Sequence, residues 1–282
     1  LNNIIDGREV AKKVKEDIKV FINERKSNLK SIPKIASILV GNDGGSIYYL
    51  NSQEKVATSL GVLFEKIILD SEIEEKDLIS LISKLNNDNN IHGIMLQLPL
   101  PNHIDEKKVV DMIEPSKDID CLTYKSVGKL YLGEETFLPC TPNSVITLLK
   151  SKNIDLEGKR VTILGRSNIV GKPLLQLFLK ENATVTICHS KTKNLKEVCK
   201  EADILVVAIG KPKFITSEYI KEGAIVIDVG TSSFEGKITG DVDFNDVSKK
   251  ASFITPVPGG VGALTTTLLI NNVCEAIIKD EN

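Results

Sequence analysis

Short apolar runs bounded by turn residues alternate with longer segments of helical period along most of the 282-residue chain. That alternation limits the fold more than any single motif does. PKIASILVG reads as a buried strand, residues 46–60 as a helix and VLFEKIIL as a second strand. EEKDLISLISKLNND then reads as a helix and IHGIMLQLPLP as a third strand stopped by prolines. Ahead of them, Val10, Val14, Ile18 and Phe21 form one stripe of an opening helix, because residues three and four apart share a helix face. A second run follows as RVTILG, VGKPLLQLFLKEN, ATVTIC, LKEVCKEA, ILVVAIG and AIVIDVG, read as strand, helix, strand, helix, strand, strand. Strands joined through helices pair in parallel, so the expected class is α/β, with a sheet in each half. Residues 114–142 have no sustained period and suit a domain junction. The expected division is a first domain over 1–140, completed by an apolar C-terminal helix over 261–282, and a second domain over 141–260.

Composition excludes several function classes. The 41% hydrophobic and 26% charged fractions are those of an ordinary globular protein. A net charge of −2 provides no basic field for nucleic acid or anionic lipid. LNNIIDGREV lacks the apolar core of a signal peptide, and no run approaches the roughly 18 apolar residues of a membrane span. The five cysteines are scattered and never spaced C-x-x-C, which points to reduced thiols in a cytoplasmic protein and away from zinc or a disulfide framework. The three histidines lie far apart.

The clearest local signal is VTILGRSNIVGKP, a strand, a turn and a helix start. Gly165 ends the strand and Gly171 opens the helix, as in a loop whose backbone meets a pyrophosphate. Ser167 stands where G-x-G-x-x-G has its second glycine, and an ordinary β–α turn fits the same spacing. The next strand ends in CHSKT, without the acidic residue that holds a ribose 2′-hydroxyl. Arg166, Ser190 and Lys191 offer cationic and hydroxyl donors suited to a 2′-phosphate; a solvated basic loop is the alternative. Three other clusters lie at strand ends or turns: Gln97 with LPLP, Lys117-Asp118-Ile119-Asp120, and TPVPGGVG from Thr255 to Gly262. Taken singly, each also suits a strand end, a helix cap or a turn.

Together these segments resemble the bifunctional methylenetetrahydrofolate dehydrogenase/cyclohydrolase family. The likeness runs end to end through GNDGGSIYYLNSQEKVATSLGV, GIMLQLPLP, PSKDIDCLT, PCTPNSVITLL, GRSNIVGKPL, ATVTICHSKT, ADILVVAIGKP, GAIVIDVG, GDVDF and TPVPGGVGALTTTLL. The resemblance implies an N-terminal α/β domain, a Rossmann-like domain, and a cleft between them for folate and NADP. It also implies a homodimer. Tyr49 matches the residue that stacks on the folate aminobenzoate ring, and Gln97 and Asp120 match the pterin end. Pro258, Gly259 and Gly262 match the loop lining the folate pocket. Gly165, Arg166, Ser167, Ile169 and Gly171 match the dinucleotide loop. Arg166 with Ser190 matches the 2′-phosphate site, and Thr231 falls near the nicotinamide.

The implied dehydrogenation passes a hydride from the folate methylene carbon to nicotinamide C4 and needs positioning rather than a strong base. Water addition to the methenyl product needs a group that titrates. The family's S-x-x-Y-x-x-x-K supplies a lysine there, where this chain has Gln53 in the segment Ser46 to Gln53. Glutamine hydrogen-bonds but does not titrate. Lys55, two residues on, is rotated about 200° around the helix from Gln53. The expectation is therefore an NADP-linked dehydrogenase with weak or absent hydrolytic activity; the alternative is the fully bifunctional enzyme. Smaller departures are Cys121 for a glycine, Ala263 for a proline, and Thr231-Ser232 for Ile-Asn. A dehydrogenase of another substrate on this architecture, or a silent folate- or nucleotide-binding protein, are the remaining readings.

Overall fold

The computed structural model describes residues 3–234 and 236–281. It divides into two compact units: Lys13–Pro139 with Thr266–Asn282, called here the N-terminal unit, and Leu1–Lys12 with Cys140–Thr265, the C-terminal unit. The divisions fall inside two helices, α1 (Gly7–Ser27) and α10 (Val261–Asp280). The first residues join the C-terminal unit because the Ile5 N–H donates to the Ile254 carbonyl and the Gly7 N–H to that of Gly259.

The N-terminal unit holds a parallel sheet of order β2-β1-β3, made of β1 (Lys34–Val40), β2 (Leu63–Leu69) and β3 (Gly93–Leu96). Six consecutive residues of β1 are buried, as expected of a central strand covered on both faces. The connections carry α2 (Gly44–Leu60) and α3 (Glu75–Asn86). Ile38, Leu78, Ile82, Leu96 and Val109 meet in one core cluster. On α1 the buried stripe runs through Ala11, Ile18 and Ile22. Between β3 and the C-terminal unit lie α4 (Glu106–Val110) and α5 (Tyr124–Leu132). The segment expected to be an aperiodic junction therefore contains a full helix. Thr123 caps it through the Ser126 N–H and Gly133 closes it at φ 74°, local signals that outweigh a weak apolar period.

The C-terminal unit is a five-stranded parallel sheet of order β10-β7-β6-β4-β5. Its strands are β4 (Arg160–Leu164), β5 (Thr184–Cys188), β6 (Ile204–Val207), β7 (Ile225–Asp228) and β10 (Phe253–Ile254). A hairpin of β8 (Ser232–Phe234) and β9 (Lys237–Thr239) follows β7. The helices are α6 (Cys140–Ser151), α7 (Gly171–Lys180), α8 (Leu195–Lys200) and α9 (Phe244–Val247). From β4 the chain moves outward to β5, then returns across to β6 on the other flank. That reversal marks a crevice beyond the carboxyl ends of β4 and β6, the place where such sheets bind ligands.

The helix α10 is long and apolar enough to cross a membrane by length and composition alone, contrary to the expectation that no segment comes close. Most of it is buried, with Leu264, Ile270 and Val273 fully enclosed. Asn272 on it donates to the Ile119 and Leu138 carbonyls. From Thr266 on it is a core helix of the N-terminal unit.

Candidate functional site

In the N-terminal unit, the candidate residues gather on α2 and at the carboxyl end of β3. Asp43 caps α2, accepting from the Ser46 N–H at 2.8 Å and its hydroxyl at 2.9 Å. These bonds hold its carboxyl below the usual range. Tyr49, one turn into the helix, is exposed and meets Tyr48 edge-on at 5.9 Å between ring centroids. Gln53, four residues on, is 7% exposed. Its Oε1 accepts from Gln97 Nε2 at 2.8 Å, and the same nitrogen donates to Ser37 Oγ at 3.0 Å. Gln97 and Ser37 are also buried. The chain Ser37–Gln97–Gln53 is thus a satisfied polar network linking β1, the end of β3 and α2. Lys55 is exposed.

The segment before α5 separates its four candidates by role. Lys117 is buried and its ammonium donates to the Leu85 and Asp88 carbonyls. Burial pulls its pKa down. The buried Asp118 carboxylate accepts from the Leu122 and Thr123 N–H groups. Both side chains are structural. Asp120 is half-buried. Cys121, which follows it, sits at φ 57°, a left-handed conformation that favours glycine, the usual family residue. Burial pushes its thiol up to about 12, so it is an inert filler.

In the C-terminal unit the loop from β4 to α7 is built for close approach. Gly165 has φ 128°, and a Cβ there would collide with the Ala208 carbonyl oxygen. A Cβ on Gly171 would collide with the carbonyl of Gly165. Ser167 Oγ accepts from the Val170 N–H at 3.2 Å and shapes the turn from inside. Arg166, Ser167 and Ile169 are exposed. No side chain caps α7, which leaves the positive end of its dipole facing the loop. The Gly165 N–H donates to the Cys188 carbonyl at 2.9 Å, so Arg166 and Ser190 leave adjacent strand ends. Beyond β5, Thr192 Oγ1 accepts from the His189 N–H, and Ser190 and Lys191 are exposed. No carboxylate occurs among residues 188–193. The glycine cradle, the uncapped helix and the paired donors fit a phosphorylated dinucleotide.

Thr231 is exposed just past β7. Pro258 and Gly259 lie in the turn before α10, and Gly262 is the second residue of that helix; Gly259 has φ 109° and is covered by the Arg8 guanidinium. These three belong to the C-terminal unit, whereas Tyr49, Gln53, Gln97 and Asp120 belong to the N-terminal one. Sequence reasoning missed Ser37, whose signal was one hydroxyl inside an apolar strand. It also missed Asp228 and Asp241, buried acids in the quoted segments AIVIDVG and GDVDF.

Comparison with known proteins agrees with both halves. Residues 5–120 match the family model "Tetrahydrofolate dehydrogenase/cyclohydrolase, catalytic domain". Residues 139–281 match the corresponding "NAD(P)-binding domain". The chain is 71% identical over 282 residues, all of both chains, to the "Bifunctional protein FolD" of Clostridium botulinum strain Alaska E43. The FolD structure from Campylobacter jejuni superposes with TM-score 0.96 at 43% identity, covering 98% of this chain and 99% of that one. The enzyme from Trypanosoma brucei, solved with NADP and an inhibitor, superposes with TM-score 0.93 at 34% identity, covering 99% of this chain and 98% of that one. Glycine loop, uncapped helix and both domain matches lead to one conclusion: the chain belongs to the tetrahydrofolate dehydrogenase/cyclohydrolase family.

Proposed function

We propose that the protein oxidises 5,10-methylenetetrahydrofolate to the methenyl form with hydride transfer to NADP, and then hydrolyses the methenyl product to 10-formyltetrahydrofolate. The observation that carries the first half is the Gly165–Gly171 cradle with Arg166 and Ser190 at neighbouring strand ends and no carboxylate beside them. Bound NADP would supply the hydride acceptor. Arg166 and Ser190 would hold its 2′-phosphate, the loop amides its pyrophosphate, and Thr231 would lie by the nicotinamide. In the N-terminal domain, the exposed Tyr49 ring offers a stacking face for the aminobenzoate. Gln97 and Asp120 provide acceptors for the pterin, and Pro258, Gly259 and Gly262 line the folate loop. The work of these residues in the hydride step is orientation.

The second half follows from relatives named bifunctional at 71% identity. With Gln53, the hydrolytic step would use a positioned amide and a water chain to move protons. A specific observation favours a second reading, in which this step is slow. Gln53 is buried against Gln97 and cannot titrate, and Lys55 is exposed. A homodimer in the cytoplasm, as the resemblance implies, completes the proposal; light scattering of the purified protein tests the dimer.

The deciding experiment assays both half-reactions on one purified sample, with NADP and with NAD. NADPH formation with methylenetetrahydrofolate, followed by loss of methenyl absorbance, supports the bifunctional reading. Dehydrogenation with methenyl accumulating supports the second. Absence of turnover with methylenetetrahydrofolate overturns both.

A further inference from the structure

Two buried aspartates that this mechanism does not use lie side by side at the carboxyl end of the C-terminal sheet. Asp228, the last residue of β7, is 3% exposed, and Asp241, after β9, is fully buried. Asp228 accepts from the N–H groups of Gly230, Asp241 and Val242 at 3.0, 3.1 and 2.9 Å. Asp241 Oδ2 accepts from Ile209 and Gly210 at 2.7 and 2.9 Å, while its Oδ1 is buried without a partner. Two glycines make room for the pair. A Cβ on Gly230 would land on the Asp241 carboxylate, and one on Gly240 would land on Asp228 Oδ2. The two acids therefore tie the chain after β6 to the chain after β7 and bring two carboxyl groups into one buried space.

Their location follows from the sheet order. The phosphate loop leaves β4, and the 2′-phosphate donors leave β5. The other mononucleotide of a dinucleotide must then extend over the ends of β6 and β7, on the far side of the switch point. We propose that the Asp228–Asp241 pair is a proton-linked electrostatic support beneath the nicotinamide, favouring the cationic oxidised cofactor over the neutral reduced one. This rests on the NADP reading above.

Like charges buried together resist joint ionisation. Burial and the neighbouring Asp241 raise Asp228 to about 7, against the pull of its backbone donors. Among the described residues, no further acid or base is hydrogen-bonded to either carboxyl group. β6 and its continuation contribute Val207, Ile209 and Gly210, and Thr255 after β10 contributes a hydroxyl accepting from the Asp228 N–H. The charged side chains along those segments are Lys211 and Lys213, both exposed, and Asp243, which caps α9. A nicotinamide cation arriving above the pair would favour its ionised form and release a proton to solvent. Neutral dihydronicotinamide would not.

The test compares NADP with NADPH, whose phosphates are identical, so that proton release common to both cancels. Calorimetric titrations of the purified protein at pH 7, in two buffers of different protonation enthalpy, count the protons released. NADP should release roughly 0.4 proton more than NADPH if its charge lowers the acid by about one pKa unit. The ratio of NADPH to NADP dissociation constants should rise about fivefold to tenfold between pH 6 and pH 8. Asp228→Asn should bind both cofactors with no excess release. Equal release in the native protein, or an excess that persists in Asp228→Asn, overturns the inference; the native measurement stands alone if that variant does not fold. Failure of both cofactors to bind instead overturns the NADP reading and the inference with it.

Discussion

Replacing Gly171 by alanine isolates the contribution of the phosphate cradle. A Cβ at this position would collide with the Gly165 carbonyl and lie 3.0 Å from Arg166 Cα. All of these are backbone atoms, so no side chain can swing away. The helix cannot retreat either, because Leu174, Leu177 and Phe178 anchor α7 in the core. The loop must move, by about 1 Å, and overpacking of this kind costs about 1–3 kcal/mol. Gly171 is the first residue of α7, where the interior helix-propensity gain of alanine does not apply, so the net loss stays at about 1–3 kcal/mol, a fall in Tm of about 2–5 °C. The effect on NADP is larger. Displacing the loop amides loses one or two charge-assisted hydrogen bonds of about 1.5–3 kcal/mol each, a weakening of roughly 10- to 10,000-fold. Calorimetric titration with NADP reads the affinity and thermal unfolding reads the stability. Gly128→Ala is the control, since Gly128 lies within α5 with nothing near its missing Cβ. It should gain up to about 1 kcal/mol and leave NADP binding unchanged. Native NADP affinity in Gly171→Ala, alongside the expected loss of Tm, would refute the reasoning, because the loop would then not hold the phosphates.

Four further outcomes are expected. Gln53→Lys should keep dehydrogenation within about threefold and, if the missing titratable group limits hydrolysis, raise methenyl-folate hydrolysis about 100-fold; a fast native rate that lysine does not improve counts against that limit. Arg166→Ala should weaken NADP about 10- to 100-fold and NAD little, by loss of a charge-assisted bond to the 2′-phosphate; equal losses for both cofactors would remove Arg166 from that role. Lys117→Met should destabilise by about 2 kcal/mol in thermal unfolding, because it strands the Leu85 and Asp88 carbonyls; unchanged Tm would contradict it. Asp228 binds its proton more tightly when folded, with a pKa of about 7 against the ordinary aspartate value of 3.8. The folded state therefore holds more protons between those values, and this group's contribution to stability falls as pH rises through that window and is flat above it. The Tm of Asp228→Asn relative to the native protein should accordingly be higher at pH 8 than at pH 5, whatever the absolute cost of the substitution.

Several elements were legible because their signals are local. The strand at Lys34–Val40 is an apolar run after its opening lysine, broken only by Ser37, and α7 is announced by Gly171 behind the strand that ends at Gly165. The glycine loop and the absence of an acid after β5 were readable for the same reason. By contrast, α5 was hidden because its face carries exposed Tyr124, Val127 and Tyr131, so its period does not separate a buried side from a wet one. The first twelve residues join the C-terminal unit through pairing with Ile254 and Gly259, partners some 250 positions away in the sequence, which no local pattern encodes.

By itself, the sequence determined the α/β class, the dinucleotide loop and the presence of glutamine at position 53. All of these depend on residue type and short spacing. Only the tertiary structure decided what Gln53 does with its amide, since Gln97 reaches it across 44 residues and Ser37 completes the chain from another strand. It likewise decided that Asp228 and Asp241 are buried neighbours rather than two acids of a loop. Hydrogen-bond partners and buried charges are long-range properties of the packed chain: burial removes the solvent that would otherwise satisfy each group, and only the fold determines which group replaces it.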